Sequence, residues 1–318
     1  MLKYVLKRLG YVIITLFILS IFIFMLVHIT PGDPGRIMLG PDANPEDVEA
    51  LDRQMGLDQP LLVQYVSWLD DAVHGDLGTS YARNAPVVQE IGGALKPTLE
   101  LSIWAQILAT VIAIPLGTVA ARKKGTTADS GIIAFAQLGI SIPSFLLSLL
   151  LVMAFSIAIK LFPATGYKSI AEVGVWGHFR YLILPVISLA AMQAAMLTRM
   201  TRSSMIDVIN MDYIKTAKAK GISQRRIIYH HALKNAMIPI LTAIGQSFAT
   251  LLSGAAVVET VFSIPGVGQL IVNSVTKRDY PMVQGIVLVI SLIYIAVNFI
   301  IDMLYGAIDP RIQVGSGS

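Results

Sequence analysis

The chain has 318 residues, of which 55% are hydrophobic, only 14% are charged and none is cysteine. A soluble globular domain carries about a quarter charged residues, so a water-facing surface around one core is excluded, as are disulfides and thiolate metal sites. The formal net charge is +4, and its uneven placement orients the chain.

Lipid satisfies no backbone N–H or C=O group, so membrane-crossing segments are helices or closed barrels. The apolar runs here are continuous rather than alternating, which selects helices, and about 20 residues cross a core of roughly 30 Å. Six spans are expected, in an all-α polytopic fold. The first, 9–29, follows Lys3, Lys7 and Arg8. It is too long for a signal peptide and has no small-x-small cleavage site, so it reads as an anchor. A segment from 31 to 96 follows, rich in turn signals (Pro31, Gly32, Pro34, Pro41, Pro45, Pro60) with short helical patterns over 45–55 and 61–73. The remaining spans are expected at 97–121, 132–159, 182–200, 236–258 and 282–304, with Pro115, Pro143, Pro185 and Pro239 as candidate kinks.

Lysine and arginine accumulate on the cytoplasmic side of membrane proteins. The N-terminus, Arg122 to Lys124, the stretch 199–234 and Arg311 hold 15 basic residues, and the other loops hold 9. Residues 31–96 carry 11 acids against 4 bases. Both termini are therefore expected in the cytoplasm and 31–96 outside.

The cytoplasmic stretch KTAKAKGISQRR, residues 215–226, carries five basic residues. Residues 212–219 favour helix, Gly221 can end it left-handed, and Ser223 can cap a second helix. Two short helices joined at a glycine are expected along the membrane face, with Ile227, Ile228, His231 and Ala232 as the second apolar stripe. A lipid-binding patch needs no such punctuation.

The stretch DYIKTAKAKGIS…HALKNAMIP resembles the coupling motif of ATP-binding-cassette importer permeases, most closely the first permease of the dipeptide/oligopeptide/nickel family. Seven further stretches match in order: PGDP (31–34), GLDQP (56–60), HGDLGTS (74–80), RMTRSSMIDV (199–208), VVETVFSIPGVGQL (257–270), RDYPMVQG (278–285) and IDPRI (308–312). The Glu-Ala-Ala of the broad motif falls on Lys215-Thr216-Ala217. The resemblance implies a type I importer permease fold: an anchor over 1–30, an extracytoplasmic cap over 31–96, and a permease core over 97–305 containing coupling helices 212–232. A 306–314 tail and an appended linker, 315–318, complete the chain.

It also implies an ATPase-coupling surface at Asp212, Ile214, Lys215, Thr216, Ala217, Gly221 and Ile222, with Ile214, Ala217 and Ile222 packing into the partner's groove. Expected partners are a homologous second permease, two cytoplasmic ATPase subunits, an extracytoplasmic substrate-binding protein and membrane lipid, with no nucleic acid. The expected place is the bacterial inner membrane. The expected cargo is a di- or oligopeptide, with nickel or a metal chelate as the alternative within the family. An ion-gradient-driven transporter is the rival class, but inverted repeats and mid-membrane charges do not stand out.

No Walker A pattern occurs; the nearest stretch, Gly117 to Thr126, lacks the second glycine at the required spacing. HExxH and GxSxG are also missing. The chain is expected to be no enzyme and to hold no cofactor or metal, with ATP and magnesium on the partner ATPases. His28, His74 and His178 are too dispersed for a ligand set. Glu100 reads as a first-turn acid complementing the helix dipole. Gln193, Arg199, Arg202 and Gln246 are candidates for the path or an inner gate. Glu259, with Phe262, Pro265, Gly266 and Gly268, is the candidate outer gate: a Pro-Gly-x-Gly run breaks the helix where it leaves the membrane.

Overall fold

The computed structural model describes residues 2–29, 34–40, 42–54 and 56–308. Residues 31–33 of the first matching motif, the 309–314 part of the tail and the 315–318 linker lie outside these. The order of helices is α1 Leu2–Ile29, α2 Pro34–Leu39, α3 Pro45–Gln54, α4 Leu61–Val73, α5 Val87–Arg122, α6 Thr127–Ser141 and α7 Ser144–Leu151. A π-helical turn, Val152–Ala158, continues α7. Then come α8 Ile170–Ile209, α9 Asp212–Ala219, α10 Gln224–Arg226, a second π-helical turn Ile227–Ala232, α11 Leu233–Phe262, α12 Val267–Thr276 and α13 Tyr280–Ile308. Among the described residues the one β feature is an isolated Thr79–Pro86 bridge.

Five segments are long and apolar enough to cross a membrane unbroken: Arg8–Met25, Val87–Arg122, Ile170–Ile209, Gln224–Leu252 and Tyr280–Ile301. The expected third span is instead the pair α6–α7, bent by 95°. Pro143 causes the break. Its ring disfavours the helical region for the preceding residue, and Ile142 is extended (φ −89°, ψ 115°).

Three expectations shift. The helix of the second expected span, α5, starts at Val87, so Pro97 lies inside it and Glu100 is no first-turn residue. Ser223 sits at an N-cap position with extended backbone, but its side chain makes no capping hydrogen bond. The second of the two short helices is not separate: backbone stays right-handed helical at Arg226, Ile227, Ala232 and Leu233, so α10 runs through the π turn into α11.

Contacts divide the chain into two units, 1–96 with 269–296, and 97–268 with 297–318. Residues 31–96 share their unit with α1 and with 269–296. In that first unit Phe24 packs edge-on to Tyr65 at 5.4 Å and beside Trp68 at 6.0 Å, and the Ser20 and Tyr65 hydroxyls are 2.8 Å apart. The Asp279 carboxylate holds the 80–82 loop. It accepts hydrogen bonds from the Ser80 hydroxyl (2.5 Å), the Tyr81 amide (3.0 Å) and the Ala82 amide (3.4 Å).

In the second unit α8 is the central helix, packed by α6, α7 and α11. Its start is set by the Ser169 amide, which donates to the Glu172 carboxylate at 2.9 Å. Lipid supplies no hydrophobic drive between helices, so close packing of small residues matters more. Gly117 shows this: a Cβ there would lie 2.6 Å from the Thr201 Cβ and 2.7 Å from the Thr198 carbonyl. One apolar cluster joins α5, α8 and α11 through Leu101, Leu182, Leu251 and Phe262. A second gathers Met205, Ile214, Ile227, Ile228 and Ile240 around the 212–232 segment.

Candidate functional site

Helix α9 ends where expected, at Gly221 with φ +75°. A Cβ at that glycine would meet nothing within 4 Å, so what requires glycine inside this chain is the left-handed backbone rather than lack of room. Ile214, 4% exposed, belongs to the second apolar cluster, and Ala217 and Ile222 pack against it. This corrects the expected groove contact: these apolar side chains seat α9 on its own chain. The outer face instead presents Asp212, Lys215, Thr216 and Gly221, together with exposed Met211 and Tyr213. Lys215 Nζ donates to Asp212 Oδ1 at 2.8 Å, and Asn235 Nδ2 of α11 donates to the Tyr213 hydroxyl at 2.9 Å. The seat is therefore double, apolar beneath and polar at the edge.

The gate candidates are mostly interior. Glu259 is 0% exposed, and its Oε1 accepts from the Thr98 hydroxyl at 2.6 Å. Thr98 Oγ1 in turn accepts from the Val267 amide at 2.8 Å. Helix α11 stops at Ser263, which is left-handed at φ 52°, and the chain folds back into α12 at about a right angle (90°). A Cβ on Gly266 would overlap the Glu259 carboxylate, and one on Gly268 would overlap the Ala256 backbone. Glu259, Phe262, Gly266 and Gly268 are buried and Pro265 is exposed. The carboxylate is thus a clasp for the 263–268 turn. It does not present itself to an open path, as the sequence suggested.

Of the inner-gate candidates, Arg202 grips Asp129. Its Nε donates to Oδ1 at 2.6 Å and its Nη2 to Oδ2 at 2.7 Å. The Gly125 amide adds a third hydrogen bond to Asp129 at 3.0 Å. Such a bidentate pair fixes geometry as well as charge, so Arg202 is a brace between α6 and α8. Arg199 is exposed and, with Met196, Met200 and Ile133, borders a shallow hollow of about 500 Å³. Gln193 is buried, at 4% exposure, which removes it from any open surface of this chain.

Gln246 differs from Gln193 in lying at the surface. It is exposed on α11, and Thr250, Val257 and Thr260 are exposed on the same helical face. The two threonine hydroxyls donate to the carbonyls four residues back, at 3.0 and 2.8 Å. The remaining open polar group of this stripe is the Gln246 amide, and a bare amide in hydrocarbon is unfavourable.

Sequence reading missed two contacts that hold the spans together. Gln106 Oε1 of α5 accepts from the Ser247 hydroxyl of α11 at 2.7 Å; uncharged and short-ranged, this pair gives no pattern to read. Glu100 Oε2 accepts from the Tyr167 hydroxyl at 2.6 Å and lies 3.3 Å from His178 Nε2. His178 is buried, with Nδ1 2.6 Å from the Lys168 carbonyl. Burial, then the bond to Glu100, pushes the Tyr167 hydroxyl above its usual range. Among the described residues no group of three His, Cys, Asp or Glu is placed to hold a metal.

Five unbroken apolar helices, two bent apolar pairs, a seated basic helix and a braced bundle describe a polytopic membrane subunit. Residues 113–314 match the family described as binding-protein-dependent transport system inner membrane component, and residues 1–102 match its N-terminal component. The chain belongs to this family: it is an ABC importer permease subunit, a multi-pass inner-membrane protein. It is 42% identical over 313 residues to the glutathione transport system permease protein GsiC of Escherichia coli (strain K12), covering 98% of this chain and 99% of that one. It is 40% identical over 310 residues to the probable peptide ABC transporter permease protein y4tP of Sinorhizobium fredii, again covering 98% and 99%. A solved inward-facing structure of the MetNI methionine ABC transporter shares the fold, with a TM-score of 0.57 at 18% identity, over 70% of this chain and 97% of that one.

Proposed function

We propose that the chain forms half of a pore that imports short peptides, glutathione among them, driven by ATP hydrolysed on separate subunits. The observation that carries the coupling half of this reading is the seat of α9. A helix held on its own apolar cluster and tied to α11 can pass a push from a soluble partner into a span. A loose basic loop cannot. Its outward face, Asp212, Lys215, Thr216 and Gly221, is the surface offered to an ATPase subunit, which would carry the ATP and magnesium. The second permease packs so that Gln246 and its stripe on α11 meet the shared path, where water rather than lipid covers the amide. An extracytoplasmic binding protein delivers cargo on the 31–96 side, with both chain ends in the cytoplasm as the basic residues indicate. The peptide assignment rests on the names of the two relatives.

The test is uptake into proteoliposomes of a radiolabelled dipeptide and of glutathione. This subunit alone should neither hydrolyse ATP nor accumulate either compound, and the complete assembly with ATP should accumulate one. Accumulation by this chain alone, driven by a proton or sodium gradient, overturns the reading.

A further inference from the structure

Helix α4 keeps none of its side chains buried. At 3.6 residues per turn they sort into three arcs. Tyr65 and Trp68 face α1, where they meet the Phe24 ring. Ser67, Asp70, Asp71 and, just past the helix, His74 form an exposed polar arc. Between these arcs Leu62, Val66, Leu69 and Val73 fall within about 60° of one another. Leu62, Val66 and Val73 are 75%, 58% and 76% exposed. Large apolar side chains gathered on one exposed face mark a surface that something covers.

Two spans of the same unit fix the level at which that face lies. The 2.8 Å contact between the Ser20 and Tyr65 hydroxyls, with the Phe24 packing, sets α4 beside the last turns of the apolar segment Arg8–Met25. The Ile23 carbonyl accepts from Gln284 Nε2 at 3.4 Å. Gln284 is four residues into the apolar segment that begins at Tyr280, which is about 6 Å along the helix. Helix α4 is thus level with the shallow edge of the hydrocarbon. The apolar surface also continues beyond it, because Phe17 and Ile21, on either side of Ser20 in α1, are exposed as well.

We propose that α4 lies on the bilayer. Its Leu62, Val66, Leu69 and Val73 stripe enters the acyl-chain edge of the leaflet in which α1 ends, and Ser67, Asp70, Asp71 and His74 remain with water and headgroups. The occupant is hydrocarbon rather than an anionic headgroup, because α4 carries two aspartates and no lysine or arginine. Surface helices that bind membranes unaided often use basic residues for attraction. Here the contact with α1 holds the helix at the boundary in their place.

The cysteine-free chain accepts nitroxide labels at single cysteines. Leu62→Cys, Val66→Cys and Val73→Cys sample the stripe, and Ser67→Cys and His74→Cys sample the polar arc. All five side chains are exposed, so the labels leave the packing in place. The full chain is placed in phosphatidylcholine nanodiscs, whose lipid has no net charge. Electron paramagnetic resonance then compares relaxation by dioxygen, which concentrates in hydrocarbon, with relaxation by a neutral nickel chelate, which stays in water. The oxygen-to-chelate ratio should be several-fold higher at the three stripe positions than at the two polar ones. The stripe labels should read a depth of about 5–10 Å at the headgroup and acyl boundary. Equal ratios on the two arcs would leave the stripe in water and overturn the proposal. Stripe labels reached by neither reagent would overturn it too, because a protein surface, a second copy of the chain included, would then cover α4.

Discussion

Replacing Arg202 with methionine should destabilise the fold before it affects any gate. Arg202 reaches Asp129 through two hydrogen bonds of 2.6 and 2.7 Å, and the carboxylate side chain is only 6% exposed while the arginine is 26% exposed. Removing one partner of a buried pair strands the other charge, a loss of about 3–5 kcal/mol. The arginine's exposure and the remaining Gly125 hydrogen bond argue for the lower end, about 3 kcal/mol. For a chain of this size that lowers an unfolding midpoint by roughly 6 °C. Thermal unfolding in mild detergent, followed by Trp fluorescence, measures it for Arg202→Met, Asp129→Leu and the double variant. The two single losses should each be near 3 kcal/mol and the double variant should be clearly better than their sum, because an apolar pair strands no charge. Uptake rates, corrected for folded protein, should stay within about twofold of wild type. Additive losses, or an uptake defect in fully folded Arg202→Met, would refute the brace and restore Arg202 as a gate residue.

At Gly221 the left-handed backbone disfavours alanine by about 1 kcal/mol, while asparagine adopts it more readily. Gly221→Asn should therefore keep the lever's geometry and Gly221→Trp should add bulk on its outer face. ATPase subunits should co-purify with the first and be lost from the second; a tryptophan variant that assembles and transports like wild type contradicts docking there. For topology, the cysteine-free chain allows single cysteines at Asn44 and Ser223, both exposed. Impermeant maleimide should label them from opposite faces of the membrane, and labelling from one face would mean the crossings are miscounted by an odd number.

Composition and run length alone determined that the chain is a helical membrane protein with several crossings, because the bilayer imposes a long-range rule that every span obeys. The ordered motifs, 257–270 and 278–285 among them, identified the family for a similar reason: they are local strings that need no third dimension. Gly221's left-handed turn was also legible, since a conformational demand of one residue is written in that residue. What each polar group faces was not. Glu259, Arg202 and Gln193 all read as suspects for the path because a sequence shows that a charge or amide lies in a span but not which neighbour satisfies it. Thr98 is 161 residues from Glu259, and Asp129 is 73 from Arg202; no periodicity links such pairs. The same blindness misplaced Ile214, whose apolar character fits a partner's groove and its own core equally well. Only packing decided between them, because the isoleucines at 227 and 228 return beneath α9 once the chain continues into its fifth span.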